Sequence, residues 1–352
     1  MRLSLLLLCS VPVLTLSFAC DIVFSSLRWR CTTRQNQQFD LQHQVSTAEG
    51  NINSHHNLTQ SSSTHTSARD KLDTLVSKKN TDDTSIDVPR HIAFICDGNS
   101  RWAELNSLPT SIGHARGADR VIKLISSLRP RQSETNQSDS SIYFRRVQYC
   151  TLFAFSTENW SRPKSEIDTI FKLIERVAIQ YQQHDAIKNG QIQIQILGDL
   201  DDNRIPSGMR NALNKLQFDS REACSHRQSN NDADENNILI VCLAINYGGR
   251  ADLLQATAKL AQAIAAGEVV PPGTTIDEAE ITKRLYTANL PDPDLIIRTG
   301  GENRLSNFLL WNAAYAELCF SDVLWPDFDE VALEEAITWY GKRNRRFGGR
   351  ED

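Results

Sequence analysis

Residues His91–Trp102 read HIAFICDGNSRW and join a short apolar run to a polar turn and the start of a helix. The five residues 92–96 are mostly apolar, which predicts a buried strand. Asp97, Gly98 and Asn99 follow at once as the turn. A turn of this kind presents free N–H groups and the positive end of the helix dipole, so the segment predicts an anion site.

Asp97 is an unusual residue for an anion site, because a lone carboxylate repels phosphate unless a cation lies between them. Mg²⁺ bound by one carboxylate and by phosphate oxygens would remove that conflict. The chain contains neither GxxxxGK[ST] nor GxGxxG, so a nucleotide-binding fold is not supported.

A second apolar run followed by a polar turn lies at residues 151–168, TLFAFSTENWSRPKSEID. The run ends at Phe155, and Pro163 is placed to begin a helix. The apolar positions of that helix recur with i, i+3, i+4 spacing and are 167, 170, 171, 174, 177, 178 and 181. This stripe either packs into the core or lines, in part, an elongated apolar cavity; the sequence leaves both interpretations open.

The third block, Asp294–Trp325, reads DLIIRTGGENRLSNFLLWNAAYAELCFSDVLW. Arg298 and Arg304 flank a glycine pair, which lets an anion such as a diphosphate approach backbone N–H groups. A later carboxylate, Glu317, could hold a divalent metal against the same anion. The alternative is an exposed cluster of salt bridges. We favour the diphosphate, because residues 91–102 predict the same ligand.

Apolar runs rich in β-forming residues alternate with helical patterns along the chain. The runs cover residues 92–96, 147–155, 191–197, 238–245 and 294–297. This order predicts an α/β fold with a single, mostly parallel central sheet of about six strands flanked by helices. The eight cysteines show no CxxC spacing, which indicates reduced, buried thiols, and the net charge of −5 does not favour nucleic acid as a partner.

Together these blocks resemble the cis-prenyltransferase family, which includes undecaprenyl and dehydrodolichyl diphosphate synthases. Further matching motifs are GHARGA (113–118), ILGD (196–199), AINYGGR (244–250), YAELCFSDVLWPDF (315–328) and RRFGG (345–349). The likeness runs from about residue 88 to the end in the family's order. It implies the undecaprenyl diphosphate synthase-like fold with an elongated hydrophobic tunnel. The DDxxD motifs of trans-type synthases are absent from the sequence.

The resemblance also implies an activity. Isopentenyl diphosphate would be condensed with an allylic diphosphate, such as farnesyl or geranylgeranyl diphosphate, in repeated Mg²⁺-dependent cis C5 additions that give a polyprenyl diphosphate. Asp97 and Asn159 would be catalytic, with Asn159 helping to remove a proton, and Asp97 and Glu317 would bind the metal. The implied substrate-binding residues are Gly98, Asn99, Ser100, Arg101, Trp102, His114, Ser156, Thr157, Glu158, Trp160, Arg162, Arg298, Arg304, Leu305 and Ser306.

Three positions depart from the family pattern: Ser100, Thr110 and Asn303 stand where Gly, Arg and His are common. None of them removes Asp97 or an arginine of the third block, so we expect an active enzyme. Two alternatives stay open. One is a short-chain cis-prenyl diphosphate synthase of terpene metabolism, and the other is a non-catalytic subunit of a heteromeric enzyme. Product length depends on cavity side chains that the sequence alone does not position.

The family resemblance further implies a homodimer in which the C-terminal Arg346, Phe347 and Gly348 contribute to the active site. Association with a membrane surface is left open. Residues 1–85 combine an apolar run at 3–16 with a polar, acid-poor stretch, which predicts a signal peptide followed by a transit-like, disordered segment. Delivery to a plastid and association with the endoplasmic reticulum are the two interpretations.

The catalytic domain is predicted to span residues 86–352. Two polar inserts, near 129–145 and 220–237, interrupt the matching motifs and are predicted to be exposed, disordered loops.

Overall fold

The computed structural model of the protein describes residues 87–129, 146–229, 238–268 and 275–345. Within these ranges one six-stranded sheet has the order β3-β4-β2-β1-β5-β6, and every neighbouring pair is parallel. The strands are β1 (His91–Ile95), β2 (Tyr149–Ser156), β3 (Ile192–Leu197), β4 (Leu239–Tyr247), β5 (Leu295–Arg298) and β6 (Glu317–Phe320). The predicted α/β fold with about six parallel strands is confirmed.

Helices connect these strands. They are α1 (Asn99–Leu105), α2 (Thr110–Leu128), α3 (Lys164–Gln182), α4 (Asp185–Lys188), α5 (Ser207–Ser229), α6 (Gly249–Ala265), α7 (Glu278–Thr282) and α8 (Glu330–Tyr340), with 3₁₀ turns at Thr157–Ser161 and Trp325–Asp327. In the described part of the chain, no helix has both the length and the apolar character needed to cross a bilayer.

The central strand β1 is buried along its whole length, which explains why its sequence is a continuous apolar run. Because side chains alternate across a strand, Ile92 and Phe94 join one buried cluster with residues of α2, α3, α5 and α8. Ala93 and Ile95 face the opposite side, where they pack in a second cluster with Phe308. Both faces of the sheet are therefore covered around β1. The polar turn follows directly after the carboxyl end of this strand.

The predicted loop at 220–237 is wrong in its first part, because α5 continues to Ser229. Ser220 is fully buried, and its hydroxyl accepts a hydrogen bond from the Ile194 N–H at 2.9 Å on the outer edge of β3. Cys224 is buried on the same helix. A helix whose buried face uses small or polar side chains resembles a loop in composition, which is why the sequence suggested one.

Several predictions concern residues outside the described ranges. They are the targeting segment 1–85, the insert near 129–145 apart from Arg129, the rest of the second insert from 230, and the C-terminal Arg346, Phe347 and Gly348. These stay predictions.

His91 gives the fold a predictable response to acid. Its ring lies buried between the Pro291 carbonyl and the Thr151 hydroxyl, each 2.8 Å away, and burial lowers its pKa from 6.5 to about 4. As the pH falls, the unfolded chain therefore binds a proton at His91 before the folded chain does. The free energy of unfolding should fall by about 2 kcal/mol on this account as pH drops from about 7.5 to about 5.

Urea denaturation at the two pH values checks this prediction. The variant His91→Gln cannot titrate, so its loss of stability over the same interval should be smaller than that of the natural protein. Equal losses would show that other groups cause the acid response.

Candidate active site

The three blocks singled out in the sequence meet at the carboxyl edge of the sheet. Asp97 follows β1, Ser156 is the last residue of β2, and Arg298 is the last residue of β5. Because β1 lies between β2 and β5 and all three are parallel, their carboxyl ends adjoin. Ligands in open parallel sheets bind at such edges. The site is therefore assembled from segments up to two hundred residues apart in the chain.

Asp97 and Arg298 are in direct contact, so the two predicted anion sites adjoin. An Nη2–Oδ2 distance of 2.9 Å joins their side chains, and Arg101 contacts the other oxygen of Asp97 at 3.1 Å. Burial opposes ionisation of Asp97, but hydrogen bonds and charge from Arg298 and Arg101 outweigh it and hold the Asp97 pKa below its usual value. Asp97 is thus a carboxylate held ionised between two guanidinium groups.

Arg298 is itself held in a fixed position. Its side chain is only 4% exposed, and its Nη1 donates to the Ser306 hydroxyl at 2.7 Å and to the Arg304 carbonyl. Arg304 points outward, with 59% of its side chain exposed, and pairs with Glu302. Leu305 is half-buried against the second cluster of the sheet. The third block therefore offers one buried arginine and one exposed arginine.

Thr299, which the sequence did not suggest, fixes the backbone of Asp97. It is fully buried, its hydroxyl accepts from the Asp97 N–H at 3.0 Å, and it donates to the Asp97 carbonyl at 2.8 Å. The neighbouring Gly300 has φ 85°, and a Cβ there would lie 2.6 Å from Nη2 of Arg101. A larger residue at Gly300 would push that guanidinium away from Asp97.

Asp97 lies on the wall of a polar recess of about 150 Å³, which we call the mouth. Gly98 also lies on its wall. The other polar or charged residues there are Asn99, Ser100, Arg101, His114, Asn159 and Arg162. The mouth adjoins an apolar cavity of about 160 Å³. The residues that border both spaces are Cys96, Asn99, His114, Phe153, Ala154 and Ile170. A ligand can therefore place a charged head in the mouth and a hydrocarbon tail in the cavity.

The wall of the cavity comes mainly from α2 and α3. The residues of α3 that line it include Ile170, Ile174, Val177, Ala178 and Tyr181, and α5 adds Leu213 and Leu216. The remaining members of the predicted stripe, Ile167 and Phe171, are buried in the core and do not line the cavity. Both interpretations of the stripe are thus correct for different residues, and the predicted hydrophobic tunnel is present.

A further carboxylate, Glu166, contacts two residues of the mouth wall from behind it. Oε1 of Glu166 accepts from Arg162 at 2.9 Å and lies 3.2 Å from Nε2 of His114. Burial lowers the pKa of His114, although Glu166 acts in the opposite direction. Glu166 was missed in the sequence, yet its position four residues after Arg162 at the start of a helix is the spacing at which such pairs form.

The two tryptophans among the predicted substrate contacts do not line the mouth. Trp102 donates its indole N–H to Asp327 at 2.9 Å. Trp160 donates to Asn246 at 2.8 Å and packs edge-on against Phe155 and Phe171. In this structure both indoles hold neighbouring segments together. An aromatic residue after a strand gives the same pattern whether it faces a ligand or folds back onto the protein.

The turn from Ser156 to Trp160 is shaped by its own side chains. Asn159 lines the mouth, but its Oδ1 accepts from the Ser156 N–H at 3.0 Å, and the two residues form a capping box. Thr157 donates to Glu158 at 3.2 Å, and neither lies on the wall of the mouth. The catalytic role of Asn159 stays a prediction, and its visible role is to hold the turn.

Glu317 lies far from Asp97 within one chain. Leu295 is in register with both Glu317 and Ile92, so Glu317 is level with a residue five positions before Asp97. That offset is about 16 Å along the strand direction. Glu317 instead pairs with Arg343 at 3.1 Å. Glu317 is therefore not beside the Asp97 of its own chain, and its role as a metal ligand stays a prediction; the sequence had not revealed β6, whose register decides the distance.

Asp97 is nonetheless suited to Mg²⁺ on its own. Among the residues that the structure describes, no three His, Cys, Asp or Glu side chains converge as metal ligands, and Asp97 is the only carboxylate on the wall of the mouth. Mg²⁺ is commonly bound by one or two carboxylates together with phosphate oxygens of a substrate. The donor set therefore fits a metal that arrives with a phosphorylated ligand.

A family model described as "Putative undecaprenyl diphosphate synthase" matches residues 95–348. The chain belongs to the undecaprenyl diphosphate synthase family. Like its relatives, it is a prenyltransferase.

Two relatives and one solved structure illustrate the similarity of this prenyltransferase to known proteins. The isoprenyl transferase of Prochlorococcus marinus is 41% identical over 262 residues, which are 74% of this chain and 86% of that protein. The (2E,6E)-farnesyl-diphosphate-specific ditrans,polycis-undecaprenyl-diphosphate synthase of Vibrio cholerae is 38% identical, over 74% and 91% of the two chains. Lavandulyl diphosphate synthase from Lavandula x intermedia, solved with dimethylallyl diphosphate, is 30% identical with a TM-score of 0.62, over 74% and 98%.

Proposed function

We propose that this prenyltransferase condenses isopentenyl diphosphate with an allylic diphosphate in repeated cis additions and releases a polyprenyl diphosphate. The observation that carries the proposal is that a mouth containing Asp97 and arginines adjoins an apolar cavity and shares wall residues with it. An allylic diphosphate has the same division, with a highly charged head and a hydrocarbon chain. Each added C5 unit would lengthen the chain that occupies the cavity.

The residues of the mouth suit the reaction. In each cycle a C–O bond to diphosphate breaks, a C–C bond to isopentenyl diphosphate forms, and one proton is lost. Negative charge builds on the departing diphosphate, so fixed cations such as Arg101 and Arg162 lower the barrier when they face it. Phe153 and Ile170, on the border with the cavity, would keep water away from the electron-deficient allylic carbon.

The second diphosphate has its own cations. Arg298, Arg304 and Ser306 are assigned to isopentenyl diphosphate, and Arg298 already contacts Asp97. Mg²⁺ held by Asp97 and by phosphate oxygens would supply Lewis acidity and neutralise charge between the substrates. The role of Asn159 in proton removal is part of the proposal, and its place on the wall of the mouth supports it.

We also propose a homodimer. Glu317 can approach an Asp97 only from a second chain, because its own Asp97 is at the other end of the sheet. Exposed apolar side chains such as Leu254 (73%) and Tyr315 (66%) are compatible with a protein interface. Sedimentation velocity of the purified protein tests this, and a monomer at the concentrations used for turnover assays would contradict it.

Incubation of the purified full-length protein with radiolabelled isopentenyl diphosphate, Mg²⁺ and allylic primers of increasing length tests the main proposal. A ladder of long products is expected. A single short product would favour the second candidate, a short-chain synthase, for which the similarity to lavandulyl diphosphate synthase is the supporting observation. No incorporation unless another protein is added would instead indicate a subunit of a heteromeric enzyme.

Product length should respond to the bulk of the cavity wall. Val177 of α3 lines the cavity, so Val177→Trp should obstruct the growing chain and shift products by at least one C5 unit toward shorter lengths. Ile179 lies on the same helix but is 52% exposed, which makes Ile179→Trp the matched control. Thin-layer chromatography of dephosphorylated products measures the shift. Identical product ladders for both variants would mean that the chain does not pass Val177.

A further inference from the structure

Asn307 connects three loops at the carboxyl edge of the sheet, a role that no sequence pattern indicated. Its Nδ2 donates to Oε1 of Glu158 at 2.7 Å, in the loop after β2. Its Oδ1 accepts from the Arg250 N–H at 2.9 Å, and its carbonyl accepts from the Gly249 N–H at 2.7 Å, both at the start of α6 after β4. Asn307 itself belongs to the loop after β5.

The backbone at this point is in a conformation that needs support. Ser306 has φ 49° and Asn307 has φ 64°, and both therefore occupy the left-handed region. Residues other than glycine rarely adopt it, and asparagine is among the more tolerant ones. The neighbouring Gly248 leaves no space for rearrangement, since a Cβ there would lie 2.7 Å from Nδ2 of Asn307. The side-chain hydrogen bonds of Asn307 thus hold the chain in this form.

The conformation at Ser306 determines where Arg298 is held. The Ser306 hydroxyl accepts from Nη1 of Arg298 at 2.7 Å, and Nη2 of the same guanidinium contacts Asp97. A rotation of the backbone at Asn307 would move Ser306 and loosen Arg298. On the opposite side, Glu158 directly precedes Asn159, which lines the mouth. The bond between Asn307 and Glu158 therefore joins the two halves of the site.

We infer that Asn307 is a positioning residue that keeps the Arg298 half of the site in register with the Asn159 half by donating to the carboxylate of Glu158. Glu158 then acts through Asn307 and does not bind substrate, in contrast to the role that family resemblance implies for it. Both its oxygens are engaged, one by Asn307 and the other by the Thr157 hydroxyl. The inference rests on the proposed function, because it assigns isopentenyl diphosphate to Arg298.

A reversal of the hydrogen bond tests the inference. In Asn307→Asp the side chain still accepts from Arg250 but presents a second carboxylate to Glu158, so the link becomes a repulsion. Adding Glu158→Gln supplies an amide donor, which restores the bond in the opposite direction while its oxygen still accepts from Thr157. The kcat/KM for isopentenyl diphosphate should fall about tenfold or more in Asn307→Asp and return to within about threefold in the double variant.

Thermal unfolding of all variants is measured alongside kinetics, and Asn289→Asp provides the matched control because it adds the same charge at an exposed position beside β3. An activity loss in Asn307→Asp that Glu158→Gln does not rescue would overturn the inference. The inference would also be overturned if the double variant recovered its unfolding temperature but not its kcat/KM, because a purely structural contact gives that result. Turnover by the natural protein tests the proposed function separately. If the natural protein shows no turnover, the proposed function is rejected. If it turns over but Glu158→Gln does not restore the activity of Asn307→Asp, only the role of Asn307 is rejected.

Discussion

Asp97→Asn should lower kcat by about 10²-fold or more and leave the unfolding temperature nearly unchanged. The amide has the shape of the carboxylate and keeps an oxygen that can accept from Arg298. It lacks the charge that holds a divalent cation against a diphosphate. Asp97→Ala should behave differently, because it deprives the buried guanidinium of Arg298 of its anionic partner and so adds a cost in stability. Single-turnover kinetics with saturating Mg²⁺, together with thermal unfolding, measure both effects.

Asp199→Asn is the control for this experiment. Asp199 also follows a strand, β3, but it is exposed and lies outside the mouth. Its replacement should leave turnover within about threefold, as is usual for a surface position. Retention of full activity by Asp97→Asn would remove Asp97 from the chemistry. Parallel losses of activity and stability in that variant would make it a structural partner of Arg298.

The convergence of Asp97, Asn159 and Arg298 could be predicted from the sequence because it depends only on strand direction. Each residue ends or follows an apolar run, and in a parallel sheet the ends of such runs lie on one edge. The apolar runs could be recognised as strands in the sequence, because a buried strand is continuously apolar. The contact between Asp97 and Arg298 follows from the same logic once β1 and β5 are neighbours.

The position of Glu317 could not be predicted in this way, because it depends on register. β6 has four residues, ELCF, and is partly exposed, so neither alternation nor a long apolar run indicated it. Trp102 and Trp160 illustrate a second limit. Their spacing from the strands is correct for ligand contact, yet their indole N–H groups have partners elsewhere in the protein. Direction within a turn is set by tertiary packing, which a linear pattern does not contain.

The polar residues that support the site were equally invisible. Thr299 and Asn307 carry no charge and belong to no metal or nucleophile pattern, but each fixes a backbone segment next to a charged group. Such residues act through geometry, and their importance appears only when hydrogen-bond partners are known. Asp97 and its arginine partners could therefore be identified from the sequence, whereas Glu166 and the polar network that orients the charged groups could not.

Arg298→Lys should reduce kcat/KM for isopentenyl diphosphate by about 10²-fold, although it keeps the positive charge. The guanidinium of Arg298 makes directional bonds to Asp97, Ser306 and the Arg304 carbonyl, and its side chain is only 4% exposed. A lysine ammonium is a compact charge on a flexible stem. It cannot reproduce the planar arrangement of these three bonds, so both the loop and the diphosphate contact should suffer.

Arg304→Lys is the matched comparison, because Arg304 lies in the same loop and is assigned to the same substrate. Its side chain is 59% exposed and pairs only with Glu302 among the contacts seen here, so an ammonium at this position can reach a phosphate almost as well. Its kcat/KM should fall less than about tenfold. Initial rates at varied isopentenyl diphosphate concentration give both values. Equal losses would show that charge alone matters at this site, and the fixed geometry around Arg298 would then have no part in binding the second diphosphate.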